Sequence, residues 1–155
     1  MAKLIYGDRI SRDAKLRLGC SATIFDATRQ KILLTRRSDN GLWCLPSGGA
    51  EAGESAAEAC ERETLEETGL VVKVIKLLGV YSDPNMIIEY ADGNRFQIVG
   101  LNFEAEVLGG ELVVTDETTD VKFFDLKNVN DLDLMQHHRQ RITDALTGEA
   151  RAFIR

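Results

Sequence analysis

The feature that most constrains this chain is a helix whose two ends are written into residues 55–69. Ser55, followed three residues later by Glu58, is a capping box: hydroxyl and carboxylate each satisfy a backbone N–H of the first turn. Ala56, Ala57 and Ala59 are strong helix formers, and Gly69 stands where a glycine ends a helix. Inside it, "RETLEETG" puts Glu63, Glu66 and Glu67 at i, i+3 and i+4. At 100° per residue they fall within an arc of about 100°. Like charges so placed destabilise a helix by roughly 0.2–0.5 kcal/mol per pair. Ala56 and Ala59 continue that arc with small side chains, while Ala57, Leu65 and Thr68 lie opposite and are expected to face a core.

The whole chain carries a net charge of −6, so the repulsion is not offset by a basic surplus. Three oxygen donors converging in open space are what a hard divalent cation such as Mg²⁺ requires. A solvated acidic face is the plain alternative. "PSGGAEAGE", just before the helix, supplies Gly48, Gly49 and Gly53, which let main-chain groups approach a ligand closely. A carbonyl from that loop is a candidate further ligand.

Together, loop and helix resemble the signature of the Nudix hydrolase family, met in register by Gly48, Glu54, Arg62, Glu63, Glu66, Glu67, Gly69 and Leu70. Its seven exact identities would arise by chance on the order of once in a million chains of this length. One place departs: Thr64 stands where a bulky apolar residue is usual, which predicts different packing behind the helix and an intact ligand face. "KILLTRR", "LWCLPSGG" and "VKFFDL" are similar to the family's flanking strands, so the resemblance covers most of the chain.

The resemblance implies an α/β fold, an α/β/α sandwich with a mixed sheet and a glycine loop–helix–loop motif. It implies hydrolysis of a nucleoside diphosphate linked to another moiety, with Mg²⁺ or Mn²⁺. Carried over by position, Glu66 and Glu67 become metal ligands, Glu63 a ligand or general base, and Gly48 the carbonyl ligand. Arg62 orients the carboxylates, and Glu54 pairs with Arg62 or reaches the metal through water. Some members take the base from a later loop; the candidates in "TDETTDV" are Asp116, Glu117 and Asp120, with Glu117 the choice.

The remaining pattern reads β-β-loop-α-β-β-β-α over one domain, residues 1–155, with about 1–14 as a possible N-terminal extension. Residues 16–25 alternate as a half-buried strand, "DATRQ" turns the chain, and "KILLT" returns it. Residues 82–95 read as a polar loop with a turn at Asp92-Gly93. A C-terminal amphipathic helix is expected from about Asp133 to Leu146, with His137 and His138 facing solvent. Arg36 and Arg37 are candidate phosphate contacts and Phe96 a candidate base-stacking residue, whereas Trp43 is expected to pack behind the loop. Residues 81–90 are expected to line a substrate entrance.

The acidic balance argues against a nucleic-acid polymer as partner. The three cysteines form no Cys-x-x-Cys pattern and read as buried thiols. No apolar run nears membrane-spanning length and the N-terminus is too charged for a signal peptide, which predicts a cytoplasmic protein off the membrane. The substrate is expected to be a small nucleotide: a (deoxy)nucleoside triphosphate first, ADP-ribose or a nucleotide sugar as the alternative. A non-catalytic nucleotide sensor is the competing class, and a homodimer is possible by likeness to the family.

Overall fold

The computed structural model describes residues 3–155. The predicted helix is present as α1, Ala56–Thr68, with the reciprocal Ser55–Glu58 capping box formed and Gly69 closing it at φ 77°. Its buried row is Cys60, Thr64 and Thr68, spaced four apart, with Ala59 and Glu67 beside them. Small side chains on that row let the helix lie close to the sheet. Leu65, expected in the core, is instead 47% exposed, because the Cys60–Thr64–Thr68 row rather than the Ala57–Leu65 side turns inward. Thr64 is fully buried, and its hydroxyl donates to the Cys60 carbonyl at 2.8 Å, which satisfies the polar group inside the packing.

The main sheet has seven strands. β8 (Arg95–Gly110) lies at its middle, parallel to β2 (Lys15–Thr23) on one side and antiparallel to β6 (Leu70–Ser82) and β7 (Met86–Glu89) on the other. β5 (Ser47–Gly49) adds to β2, and β10 (Phe153–Ile154) runs parallel to β6. Lys3–Tyr6 of the suggested N-terminal extension form β1, antiparallel to β7 within the same sheet; Met1 and Ala2 of that segment lie outside the described residues. β7 corrects the reading of residues 82–95 as loop throughout: Met86 and Ile87 are buried there. The turn at Asp92-Gly93 is present, with Gly93 at φ 82°.

β3 (Lys31–Arg37) follows β2 through the expected turn, where Asp26 accepts the N–H groups of Gln30 and Lys31. It belongs to a second, three-stranded sheet, between β4 (Trp43–Cys44) and β9 (Thr118–Asp125). Alternate residues of β3 serve two cores. Leu33 joins Cys20, Ala22, Ala59 and Cys60 under α1, whereas Ile32 and Leu34 join Trp43, Leu45 and Ile142 under α2, Gln136–Ala145. Helices on opposite sides of mixed β-structure make the α/β sandwich that was expected.

Trp43 packs behind the loop, edge-on to Phe124 at 4.6 Å. All three cysteines are free and buried. Among the described residues no helix is long and apolar enough to cross a membrane. The two histidines of α2 are a correction: His138 is buried and His137 half-buried, because this helix packs a partly polar row against the sheet.

Candidate active site

β5 carries the glycine pair past the ligand face of α1. An added Cβ at Gly48 would sit 2.0–2.2 Å from the Glu63 carboxylate, so backbone and acid are in direct apposition. Arg62 organises what surrounds them. Its guanidinium donates to Glu54 Oε1 at 2.7 Å, Glu63 Oε1 at 2.9 Å, Glu66 Oε2 at 3.1 Å and the Gly49 carbonyl at 3.0 Å. The expected Arg62–Glu54 pair is therefore formed, and Arg62 ties loop to helix. Hydrogen bonding from Arg62 holds Glu54 below the usual carboxylate range.

Glu67 points inward and is 7% exposed. Its Oε2 accepts the Ser47 N–H at 2.9 Å, which fixes it against β5. Burial pushes its carboxyl up to about 8, opposed by the Ser47 bond and reinforced by the charges of Glu63 and Glu117. Burial likewise raises Glu63, against the pull of Arg62. Glu117 enters from the loop before β9, and one carboxylate oxygen from each of Glu63, Glu67 and Glu117 lies within 4.8 Å of the others. The Glu117 backbone is anchored where its carbonyl accepts from Ser38 Oγ at 3.2 Å.

Not every candidate converges. Glu66 stays at the mouth on Arg62, half exposed and outside the trio. Asp120 pairs with Lys122, while Asp116 lines a cleft of about 300 Å³ shared with Glu67, Glu117, Arg37 and Asp39. Arg36 turns to the Gly41 carbonyl and lines neither cavity, whereas Arg37, paired with Asp39 at 2.8 Å, borders both. The second cavity, about 1320 Å³, runs from Gly48 and Gly49 to α2 and takes in Tyr81, Met86, Ile88 and Tyr90 of the expected entrance. Phe96 is outside it, packed edge-on to Tyr90 at 5.7 Å. Sequence reasoning missed Arg17 of β2, whose guanidinium lies over Gly49 and donates to Tyr90 Oη at 3.1 Å. It also missed Arg141 of α2, at the cavity wall. An arginine on each of these elements was visible, but nothing local said which would turn inward.

The NUDIX domain profile matches residues 15–146, most of the chain. The chain belongs to the NUDIX family. It is 43% identical over 102 residues to a protein of Methanocaldococcus jannaschii named ADP-ribose pyrophosphatase, covering 64% of this chain and 57% of that one. It is 51% identical over 55 residues to a putative 8-oxo-dGTP diphosphatase of Bacillus subtilis, covering 36% of this chain and 37% of the relative. The Nudix match thus spans under two thirds of either relative's length. A NUDIX hydrolase from Nitrosomonas europaea superposes with a TM-score of 0.69 at 24% identity, over 86% of this chain and 90% of that one, a likeness of fold.

Proposed function

We propose that this Nudix domain is a divalent-metal-dependent pyrophosphohydrolase that cleaves the diphosphate bond of a nucleoside diphosphate bearing another group. A nucleoside triphosphate is the substrate class we put first. The observation that carries the reading is the trio of Glu63, Glu67 and Glu117, within 4.8 Å of one another: Glu67 and Glu117 line the smaller cleft, and Glu63 lies against Gly48, which lines the larger cavity. The donor set fits the expected cation: all ligating atoms are carboxylate oxygens, suited to Mg²⁺ or Mn²⁺ and not to softer ions. Glu66 and the Gly48 carbonyl remain proposed further ligands on the same side. When bound, the metal would supply Lewis acidity and neutralise charge on the diphosphate oxygens.

The protein's own groups then divide the work. Arg62 holds Glu63 and Glu54 in place, and Ser47 N–H holds Glu67. Burial raises the proton affinity of Glu63 and Glu67 in the metal-free domain, and a bound cation would offset that cost and favour their ionised forms; a carboxylate beside the attacking water accepts its proton. We assign that base role to Glu117 or Glu63, the two least committed to backbone partners. Arg37 borders both cavities, which supports its assignment to a phosphate oxygen, in exchange for its present partner Asp39. Arg36 and Phe96 keep only a peripheral role.

The test is product release from a panel of nucleoside triphosphates, ADP-ribose and nucleotide sugars, with and without Mg²⁺. Metal-dependent cleavage of any class supports the reading; binding without turnover across the panel would leave a nucleotide sensor in its place. ADP-ribose is the second reading, favoured by the likeness to the protein named ADP-ribose pyrophosphatase, and AMP plus ribose 5-phosphate as products would select it. A cytoplasmic homodimer is part of the proposal, checked by light scattering on the purified chain.

A further inference from the structure

Arg141 is a buried cation without an acid. It is 6% exposed, and among the described residues no carboxylate lies within ion-pairing distance of it. Asp144, one turn further along α2, is already engaged by Tyr81 Oη at 2.9 Å, Gln140 at 3.0 Å and Arg155 at 2.8 Å. Nη1 of Arg141 donates to Ser21 Oγ at 3.1 Å, the end of a buried chain in which Ser21 donates to Asn102 and Asn102 to Thr23. Its Nε has no partner, and neither has Nδ1 of the neighbouring His137. Burial lowers the guanidinium only to about 10, so it is charged at neutral pH.

The backbone makes room for it. Gly19 and Gly100 are partners in the β2–β8 ladder, and a Cβ on Gly100 would meet Arg141 Nη2 at 2.3 Å. Tyr81 sits against the guanidinium, 5.4 Å from ring centre to Cζ. An uncompensated buried charge is costly, and well-packed apolar replacements are often more stable. The hydrogen bond to Ser21 and the Tyr81 ring anchor Arg141 without supplying a counter-charge.

The cavity suggests what the charge is for. Arg141 and His137 line one wall, and Leu18, Met86, Ile88, Ile98 and Leu134 supply apolar surface around them. Apolar surface suits a flat heterocycle better than a hydrated phosphate, and a guanidinium donates only, so it asks for acceptors. An arginine fork matches the carbonyl-bearing edge of a 6-oxopurine and opposes the amino group of adenine. We propose that Arg141 selects a keto nucleobase, guanine or hypoxanthine over adenine, in the nucleotide bound at this site. The inference rests on the reading of the cavity as a nucleoside diphosphate site, and it decides between the two substrate readings, against ADP-ribose.

IDP and ADP differ at the 6-position and the adjoining ring nitrogen, which makes them the probes. Titration calorimetry of each into the whole domain in Mg²⁺, with the nucleotide checked intact afterwards, reads binding without turnover. IDP and GDP are expected to bind at least ~10-fold more tightly than ADP. Arg141→Met should bring the ratio near one while leaving the melting temperature unchanged or higher. Should that variant fail to fold, Arg141→Lys keeps the charge, lacks the fork, and must still lose most of the preference. ADP binding as well as IDP, or a preference untouched in either folded variant, overturns the proposal while leaving metal-dependent hydrolysis standing. Absence of binding by all three diphosphates overturns it together with the nucleotide reading.

Discussion

Gly48 and Glu63 claim the same space: the position a Cβ would take on Gly48 lies within 2.2 Å of the Glu63 carboxylate. The glycine is there because an acid on α1 must reach the backbone of β5, not because the local turn needs it. Its φ is not among the positive values of the chain.

Gly48→Ala is therefore a test of position. Alanine fits the backbone, so the melting temperature should move by less than about 4 °C. The Glu63 carboxylate must swing away, and a displacement of about 1 Å at a reacting centre can cost 10²-fold. Steady-state kinetics with wild-type turnover in this variant would remove Glu63 from the site.

Glu67→Gln separates stability from activity. The folded domain holds the Glu67 proton up to about pH 8, whereas an unfolded glutamate releases it near 4.3. This group's stability is complete below the lower value and is lost as pH rises toward the higher one. The glutamine variant, without added metal at pH 8, should melt higher than wild type by several degrees, at about 2–4 °C per kcal/mol. Hydrolysis should fall by orders of magnitude. Lower melting with activity retained would reverse the assignment.

Arg62 donates to three carboxylates and a loop carbonyl at once. Lysine keeps the charge and loses the planar fork. Arg62→Lys should cost about 10–100-fold in activity or metal affinity, as loss of such supporting contacts commonly does. The Mg²⁺ concentration for half-maximal rate should rise with it; an unchanged metal dependence would place Arg62 outside the ligand framework.

The α2 histidines set an acid limit. Burial pushes His137 down to about 4 and His138 well below its ordinary value, and the nearby Arg141 and Arg37 charges act in the same sense. Unfolded histidine takes a proton near 6.5, so this stability is present above that pH and is lost as pH falls toward 4. Melting followed from pH 7 to 5 should show a decline, and His137→Phe should flatten it. Equal slopes in both proteins would show that His137 is not held neutral.

The ends of α1, the Asp26 turn and the Asp92-Gly93 turn were legible in the sequence because their determinants lie within a few residues of each other. The Glu54–Arg62–Glu63 grouping was legible through the spacing of the signature. β7 was not, since polar residues around Pro84 and Asn85 hide a short strand whose burial depends on β1 and β8. The inward face of α2 was hidden for a related reason. Met135, His138, Ile142 and Ala145 follow helical spacing, but polar His138 reads as solvent-facing until the sheet beneath proves polar, with Ser21, Thr23 and Asn102 buried there. Residue types and spacing determined the helix, its caps and its acids, because those interactions close within one or two turns. Only the tertiary structure decided that Glu67 goes inward while Glu66 stays out, that Glu117 joins them across fifty residues, and that Arg141 is sealed against a cavity. Those outcomes follow from which surfaces meet, and desolvation acts only once they have met.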